Sequence, residues 1–364
     1  MLFQTDFSDI LAQVSSIDPL DYGKTRNYGN GSVTYLSPYI SRGVISVKDV
    51  YDSCLLRGYE PIEIESFIKE LVWREYWQQI WISRGDGIDE DLKYTQVPIL
   101  HLQMPQALME GKTGIDAIDK AILDFYQTGY LHNHMRMYIA SVVTNIARAH
   151  WKTPAKWMYY HLLDADWASN SLSWQWVCGA NSKKKYFANQ ENINHYFQTE
   201  QQGTFLDVAY EDFPLTEIPE SLMTIADLEL TTELPESDEI KLDANLGTCL
   251  YTFYNLDPLW RANEPLNRIL LLEPSHFQKY PISTRTVDFI LQLAQNIEGI
   301  QVFVGEFSEI ESKLNRSNIY YKEHPTNEHF RGTCDARTWL TNVKGEYPSF
   351  FAFWKKVKKD LIAK

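Results

Sequence analysis

The chain has 364 residues, 44% of them hydrophobic and 14% aromatic, and a formal net charge of −14 at pH 7. This length allows two domains with buried cores. The acidic charge argues against a general nucleic-acid binder, and no run of 18 apolar residues predicts a membrane span. The first residues lack a basic segment followed by an apolar run, so we expect no signal peptide.

Most of the acidity lies in one short segment. Lys and Arg minus Asp and Glu give −5 (18 − 23) for 1–200, −11 (1 − 12) for 201–245 and +2 (15 − 13) for 246–364. The net charge therefore does not exclude a nucleic-acid surface outside 201–245.

The four cysteines are scattered and form no CxxC pair, which predicts neither a zinc ribbon nor an iron–sulfur cluster. His132 and His134 are two residues apart on a predicted helix, so their side chains diverge and a metal site is not expected there. Unpaired cysteines are typical of a reduced, cytoplasmic protein.

Residues 1–200 are predicted to be mainly helical. Apolar residues recur with a period near 3.6 over 62–82 and 115–126, and a third helix, about 30 Å long if continuous, is predicted over 131–151. Residues 201–245, with three prolines and many acids, predict a linker or surface-wrapping segment that is partly disordered.

Residues 246–364 predict a smaller α/β domain of the Rossmann-like class. Buried strands are expected over 249–254, 268–273 and 299–304, with a helix over 284–296 between the last two. Such a crossover implies parallel strands. A further strand at 319–321 and a closing basic helix over 349–363 complete the prediction.

Four segments combine residue types that an ordinary core does not need: 29–38, 67–76, 131–137 and 164–176. Glycines and hydroxyls before a helix start are typical of a phosphate cradle, although a simple cap at Ser37 explains them as well. Glu70 and Arg74 are spaced for an ordinary ion pair beside Trp73. Arg136 with Asp164 and Asp166 is harder to explain simply, because buried charges need partners or a polar ligand.

Taken together, these segments resemble the FAD-binding helical domain of the DNA photolyase/cryptochrome family. The quoted motifs are GNGSVTYLSP, ELVWREY, GYLHNHMRM and DADWASNSLSWQW, and the resemblance covers roughly residues 22–192. Val33 and Ala165 depart from the family pattern. Because the six-four-photoproduct branch has His where this chain has Asn133 and Met137, the resemblance favours the cyclobutane-dimer branch.

The resemblance implies roles for individual residues. Lesion contact and catalysis fall to Glu70, Trp73, Asn133, Met137 and Trp176. FAD binding falls to Tyr22, Thr34, Leu36, Ser37, Phe67, Arg74, Arg136, Asp164, Asp166 and Asn170, with Arg136 paired to Asp164 and Asn170 at flavin N5. Electron transfer falls to Trp174 and Trp151.

Two features remain open. Pro98 lies near the position of the surface relay tryptophan, so Tyr94 or Tyr159 is the alternative donor. Lys183, Lys184 and Lys185 form either a solvated face or a set of DNA phosphate contacts.

Family members place an α/β antenna domain before the helical domain, whereas here the α/β-like part follows it. We interpret 1–200 as the FAD-binding domain, 201–245 as an acidic linker and 246–364 as a possible rearranged antenna-like domain. The expected function is FAD-dependent, blue-light-driven repair of cyclobutane dimers in UV-damaged DNA. The alternative is a cryptochrome-like photosensor that contacts a protein partner through 201–364.

Overall fold

The structure is a computed structural model that describes residues 3–314 and 318–362. Two compact units are present: unit 1 comprises Met1–Leu20, Thr34–Ser83 and Thr231–Lys364, and unit 2 comprises Asp21–Val33 and Arg84–Leu230. The domain limits expected from the sequence stay a prediction. In the described part of the chain, no helix is both long and apolar enough to span a membrane.

The α-helices of the described residues, in chain order, are α1 (Phe7–Ser16), α2 (Pro19–Thr25), α3 (Ser37–Ser41), α4 (Val47–Leu56), α5 (Glu65–Arg84), α6 (Gln106–Glu110), α7 (Asp116–Thr128), α8 (Asn133–Ser141), α9 (Lys152–His161), α10 (Trp167–Cys178), α11 (Gln190–Phe197), α12 (Pro274–Lys279), α13 (Thr284–Ala294), α14 (Phe307–Glu311) and α15 (Phe350–Ile362). The strands are β1 (Met104–Pro105), β2 (Ile225–Ala226), β3 (Gly247–Tyr251), β4 (Leu266–Leu272), β5 (Ile300–Val304), β6 (Ile319–Lys322) and β7 (Thr333–Asp335).

Unit 1 contains a parallel sheet with the strand order β5-β4-β3-β6-β7. The predicted crossover is confirmed, because β4 pairs in parallel with β5 and helices α12 and α13 lie between them in the chain. A cluster of buried apolar side chains packs on the sheet, including Leu250, Ile269, Leu271, Phe303 and Ile319.

Part of the predicted acidic linker lies against the edge strand β5. The amide of Val302 donates to the Asp238 carboxylate at 2.7 Å, and the amide of Val304 donates to Ser237 Oγ at 3.1 Å. These side chains satisfy donors that an exposed strand edge leaves unpaired. One acidic residue of this segment, Asp238, thus has a local structural role.

Helix α5 is covered on one face by the C-terminal part of unit 1. The amide of Leu340 donates to Glu75 Oε1 at 2.6 Å, and that of Gly345 donates to Gln79 Oε1 at 2.8 Å. Burial raises the pKa of Glu75 to about 8, although the bond from Leu340 opposes the rise. At neutral pH Glu75 is therefore mainly protonated. The helix α15, predicted over 349–363, lies on this side; Ala363 falls outside the described residues.

Unit 2 is helical, and its α10 packs against α8 and α9. The long helix predicted over 131–151 is wrong in its second half. Helix α8 ends at Ser141, a π-helical turn spans Val142–Ile146, and Arg148 adopts a left-handed backbone with φ 58°. Asn145 donates to the carbonyls of Val177 and Tyr186, so tertiary hydrogen bonds replace further helix.

We predict that Glu75→Gln removes a pH dependence of stability in unit 1. Because the folded pKa of Glu75 is raised from 4.5 to about 8, its contribution to stability is largest below pH 4.5 and is lost as the pH rises to about 8. Urea denaturation midpoints between pH 5 and 8 should fall less steeply in the variant. Glu65→Gln is the matched control: hydrogen bonds from Lys358 and Lys69 lower the pKa of Glu65, so its stabilisation is lost only at acidic pH. Equal slopes for wild type and Glu75→Gln would contradict the assignment.

Candidate functional site

Unit 2 contains the Arg136–Asp164 ion pair that the family resemblance implied. Arg136 Nη2 lies 3.0 Å from both carboxylate oxygens of Asp164, and Arg136 Nε donates to the carbonyl of Leu131 at 2.8 Å. The Asp164 side chain is 5% exposed and that of Arg136 is 22% exposed. Because Asp164 is buried, removal of its cationic partner would cost more than breaking a surface ion pair.

Helix α10 begins where the second aspartate caps it. Asp166 Oδ1 accepts the amide of Ser169 at 2.6 Å, which satisfies a donor in the first helical turn. Asn170 and Trp174 follow at four-residue intervals, so the three side chains share one face of the helix. Asn170 Nδ2 donates to the carbonyl of Ala155 on α9 at 2.8 Å.

Trp174 is 2% exposed, and its indole Nε1 has no hydrogen-bond partner among the described residues. Ser171 Oγ is likewise buried and has no hydrogen-bond partner among the described residues. Buried donors without partners are rare in folded proteins and need an explanation, of which a bound polar molecule is one.

The predicted lesion-contacting residues of unit 2 differ in exposure. Asn133 is exposed and Met137 is half-buried, and their spacing of four places them on one face of α8. Trp176 is 36% exposed, and its ring lies 6.0 Å from that of Tyr186. Solvent therefore reaches two of these three side chains readily.

Trp151 and Trp174, the proposed electron-transfer residues, both belong to unit 2. Trp151 is fully buried and donates its indole N–H to Asp91 Oδ1 at 2.8 Å. No ring contact joins Trp151 to Trp174 within the described residues. Of the two alternative donors, Tyr94 lies under the Lys183 ammonium and Tyr159 packs edge-on against Trp167.

The three consecutive lysines follow α10 in a loop. Lys183 and Lys184 are exposed, whereas Lys185 is half-buried. Burial lowers the pKa of Lys185, and the nearby Arg148 charge contributes. Two of the three side chains are thus accessible to an anionic ligand.

Of the predicted FAD-binding residues near the phosphate cradle, Thr34, Leu36 and Ser37 lie in unit 1, while Tyr22 belongs to unit 2. The Thr34 hydroxyl accepts the amide of Leu36 at 3.3 Å, and helix α3 begins at Ser37. Tyr35 between them has φ 53°, an uncommon backbone for a residue other than glycine. Such local strain is often found at functional loops.

Helix α5 carries the remaining predicted residues. Phe67 is buried, and Arg74 Nη1 donates to Ser41 Oγ at 2.7 Å. The ring of Trp73 is stacked against that of Phe350, with centroids 3.7 Å apart and planes at 7°. Glu70 is half-buried.

Sequence reasoning missed Phe350, Glu75 and Asp91. Phe350 lies 277 positions after Trp73, and nothing local to either residue indicates the contact. Glu75 stood inside a quoted motif, but only its place on the covered face of α5 makes it a buried acid. Asp91 has no spacing that links it to Trp151.

We predict that Arg136→Met destabilises unit 2 strongly. The substitution leaves Asp164 buried without its cationic partner, which costs about 3 kcal/mol in comparable pairs. The free energy of unfolding in urea measures the effect. Lys120→Met is the control, because the Lys120–Asp124 pair is exposed and should contribute little. Equal effects of the two substitutions would contradict a structural role for the Arg136 pair.

Known proteins share sequence similarity with the region that contains these residues. Residues 67–211 match the model described as the FAD binding domain of DNA photolyase. The chain is 27% identical over 197 residues to the deoxyribodipyrimidine photo-lyase of Vibrio cholerae, which covers 47% of this chain and 39% of that protein. The corresponding Agrobacterium fabrum protein is 29% identical over 210 residues, 50% of this chain and 42% of its own.

Cryptochrome DASH of Danio rerio is 29% identical over 194 residues, which are 51% of this chain and 36% of that protein. The matches span less than half the length of each of these relatives. The matched region contains the Arg136–Asp164 pair and the Asp166, Asn170 and Trp174 face of α10. Residues 67–211 are therefore similar to the FAD-binding domain of DNA photolyase, and about half of the chain is similar to proteins of the photolyase and cryptochrome families.

Proposed function

We propose that this protein is a FAD-dependent, blue-light-driven lyase that splits cyclobutane pyrimidine dimers in UV-damaged DNA. The observation that carries the proposal is the buried Arg136–Asp164 pair beside a helix face bearing Asp166, Asn170 and Trp174. This set lies inside the region that matches the photolyase FAD-binding domain. The name of the relatives from Vibrio cholerae and Agrobacterium fabrum supports the choice of reaction.

The residues of unit 2 fit a flavin. An isoalloxazine ring carries hydrogen-bonding edges and an apolar face, and its reduced form is anionic. A guanidinium, an amide and buried donors such as Trp174 Nε1 suit such a ring. When bound, reduced FAD supplies the light-driven electron that opens the dimer.

The protein's own contribution is to bind, orient and tune. We assign Arg136 and Asp164 to holding the ring in one orientation, because their mutual bond fixes both side chains. Asp166 begins α10 and thereby sets the direction of Asn170, which we assign to flavin N5. Tyr22, Thr34, Leu36, Ser37, Phe67 and Arg74 keep their proposed roles in FAD binding.

For the DNA, Glu70, Trp73, Asn133, Met137 and Trp176 keep their proposed roles in lesion contact. A damaged base leaves its stack more readily than an intact one, which favours the dimer as the extruded substrate. We assign Lys183, Lys184 and Lys185 to phosphates, since two of them are exposed. Trp174 and Trp151 stay proposed electron-transfer residues.

The parallel sheet of unit 1 supports the proposal of a Rossmann-like domain in 246–364. Numbered from its first strand in the chain, the observed order β5-β4-β3-β6-β7 is 3-2-1-4-5, which is part of the order of doubly wound nucleotide-binding sheets. We propose that it is a rearranged antenna-like domain.

A photosensor of the cryptochrome type is the second candidate. One observation favours it: a ring face of Trp73, the proposed lesion contact, is covered by Phe350. The relatives named cryptochrome agree with this alternative. A protein partner bound through 201–364 and a cytoplasmic location belong to the same proposal.

The first test is light-dependent repair. We expect the purified, FAD-loaded and reduced protein to restore a thymine-dimer oligonucleotide in blue light but not in the dark. Glu70→Ala should lower the repair rate about tenfold to a hundredfold, the range for one lost charged hydrogen bond, while the flavin content stays unchanged. Glu63→Ala, an exposed acid before α5, is the control. No repair by the loaded, reduced wild type would move the assignment to the photosensor.

A second test concerns Asn170. In Asn170→Asp an acid replaces the amide that donates to the Ala155 carbonyl at 2.8 Å, so the local charge and hydrogen bonding both change. We expect the light-stable redox state of the bound flavin to differ from that of the wild type, as read from the absorption spectrum after illumination. Asn145→Asp is the control, because Asn145 also donates to main-chain carbonyls but lies outside the proposed site. An unchanged spectrum in Asn170→Asp would remove Asn170 from N5.

A further inference from the structure

The C-terminal residues of unit 1 cross helix α5 as an extended strap, residues 337–349, before α15 begins. Arg337 Nη1 donates to Gln78 Oε1 at 2.6 Å, and Tyr76 Oη donates to the carbonyl of Tyr347 at 3.3 Å. Together with the bonds to Glu75 and Gln79, these contacts attach the strap to little more than one turn of α5. The strap leads directly to Phe350.

Phe350 is the first residue of α15 and is 3% exposed. Its ring is nearly parallel to that of Trp73, with centroids 3.7 Å apart, and it meets Tyr76 edge-on at 5.9 Å. A planar ring at this separation fills the stacking position on that face of Trp73. A nucleobase would require the same position if it stacked on this face.

The rest of α15 is attached independently of Phe350. Phe353, Trp354 and Val357 are buried, and Lys358 Nζ lies 2.8 Å from Glu65 Oε2. A helix end unwinds more readily than its middle. Withdrawal of Phe350 therefore needs movement only of the residues of α15 that precede Phe353 and of the strap before them.

The strap is suited to such movement. Within 341–349 every side chain described is exposed or half-exposed. Gly345 has φ 94° and no atom within 4 Å of the position a Cβ would take. Its amide bond to Gln79 is one of the contacts that would have to open.

We propose that Phe350 is an internal competitor for the ring face of Trp73, and that an extruded pyrimidine dimer displaces it. This rests on the proposed function, which assigns Trp73 to the lesion. In the closed state, which is the state of the described structure, the ring of Phe350 occupies this face of Trp73; in the open state Phe350 has moved away. Binding of the dimer then requires the open state, so the apparent affinity is lowered by the fraction of molecules that are open.

The free energy gained by burying and stacking the Phe350 ring determines how strongly Phe350 competes with the dimer. Removal of the competitor should tighten binding of a dimer by about tenfold to a hundredfold, since that is the population shift one buried aromatic side chain supports. Undamaged DNA held only by phosphate contacts does not need the Trp73 face. Its affinity should stay the same.

The experiment compares Phe350→Ala with the matched control Phe351→Ala in the FAD-loaded full-length protein in the dark. Phe351 is 70% exposed and follows Phe350 directly, so the control removes the same side chain without freeing Trp73. Dissociation constants are measured for an oligonucleotide with one thymine dimer and for its undamaged counterpart. We expect only Phe350→Ala to bind the dimer more tightly, with undamaged DNA unaffected.

A second measurement uses the wild type, so its result does not depend on whether the Phe350→Ala variant folds correctly. Hydrogen–deuterium exchange of the amides in 341–352 should accelerate when dimer-containing DNA is added and stay unchanged with undamaged DNA. Unchanged exchange together with equal affinities of the two variants would overturn the competitor. If the wild type nevertheless repairs dimers in light, the proposed function stands without it. If no form binds the dimer oligonucleotide, both the competitor and the proposed substrate are wrong.

Discussion

The bond between Arg136 and Asp164 is the contact on which the candidate flavin site of unit 2 depends. An almost fully buried carboxylate is tolerated only when donors reach it, and the guanidinium on α8 provides one at 3.0 Å. This fixes the residues just before α10 against α8. Asp166, two positions later, caps α10, and the helix direction then determines where Asn170 and Trp174 lie. The buried Asp164 carboxylate needs a cationic partner, and meeting this need helps to position the face of α10 that bears Asn170 and Trp174.

In unit 1 the corresponding constraint is the polar face of α5. Glu75, Gln78 and Gln79 are buried, so each needs hydrogen bonds from the chain that covers it. The strap of residues 337–349 supplies them, and in doing so it brings Phe350 onto Trp73. The same packing that satisfies buried polar groups therefore occupies a residue proposed for substrate contact. Under the proposed function, Phe350 and the substrate would therefore compete for the ring of Trp73.

These two constraints connect the fold with the chemistry proposed for it. A photolyase-type reaction needs a rigid flavin environment and an adaptable surface for the lesion. Paired charges and buried tryptophans suit the first requirement, and the exposed side chains of Trp176, Asn133, Lys183 and Lys184 suit the second. Access of a base to the covered face of Trp73 would distinguish the two proposed functions, because only repair requires it.

The sequence alone was sufficient for the similarity to the photolyase FAD-binding domain, which implied the Arg136–Asp164 pair, and for the main strands of the parallel sheet. Motifs and hydrophobic period are local properties of the chain. It was not sufficient for the end of α8, where Asn145 bonds to distant carbonyls and a π-helical turn replaces the predicted helix. Nor did it indicate that Glu75 is a buried acid or that Phe350 lies on Trp73. Those features depend on which segments fold back on α5, and contacts between residues almost 280 positions apart leave no periodic trace in either segment.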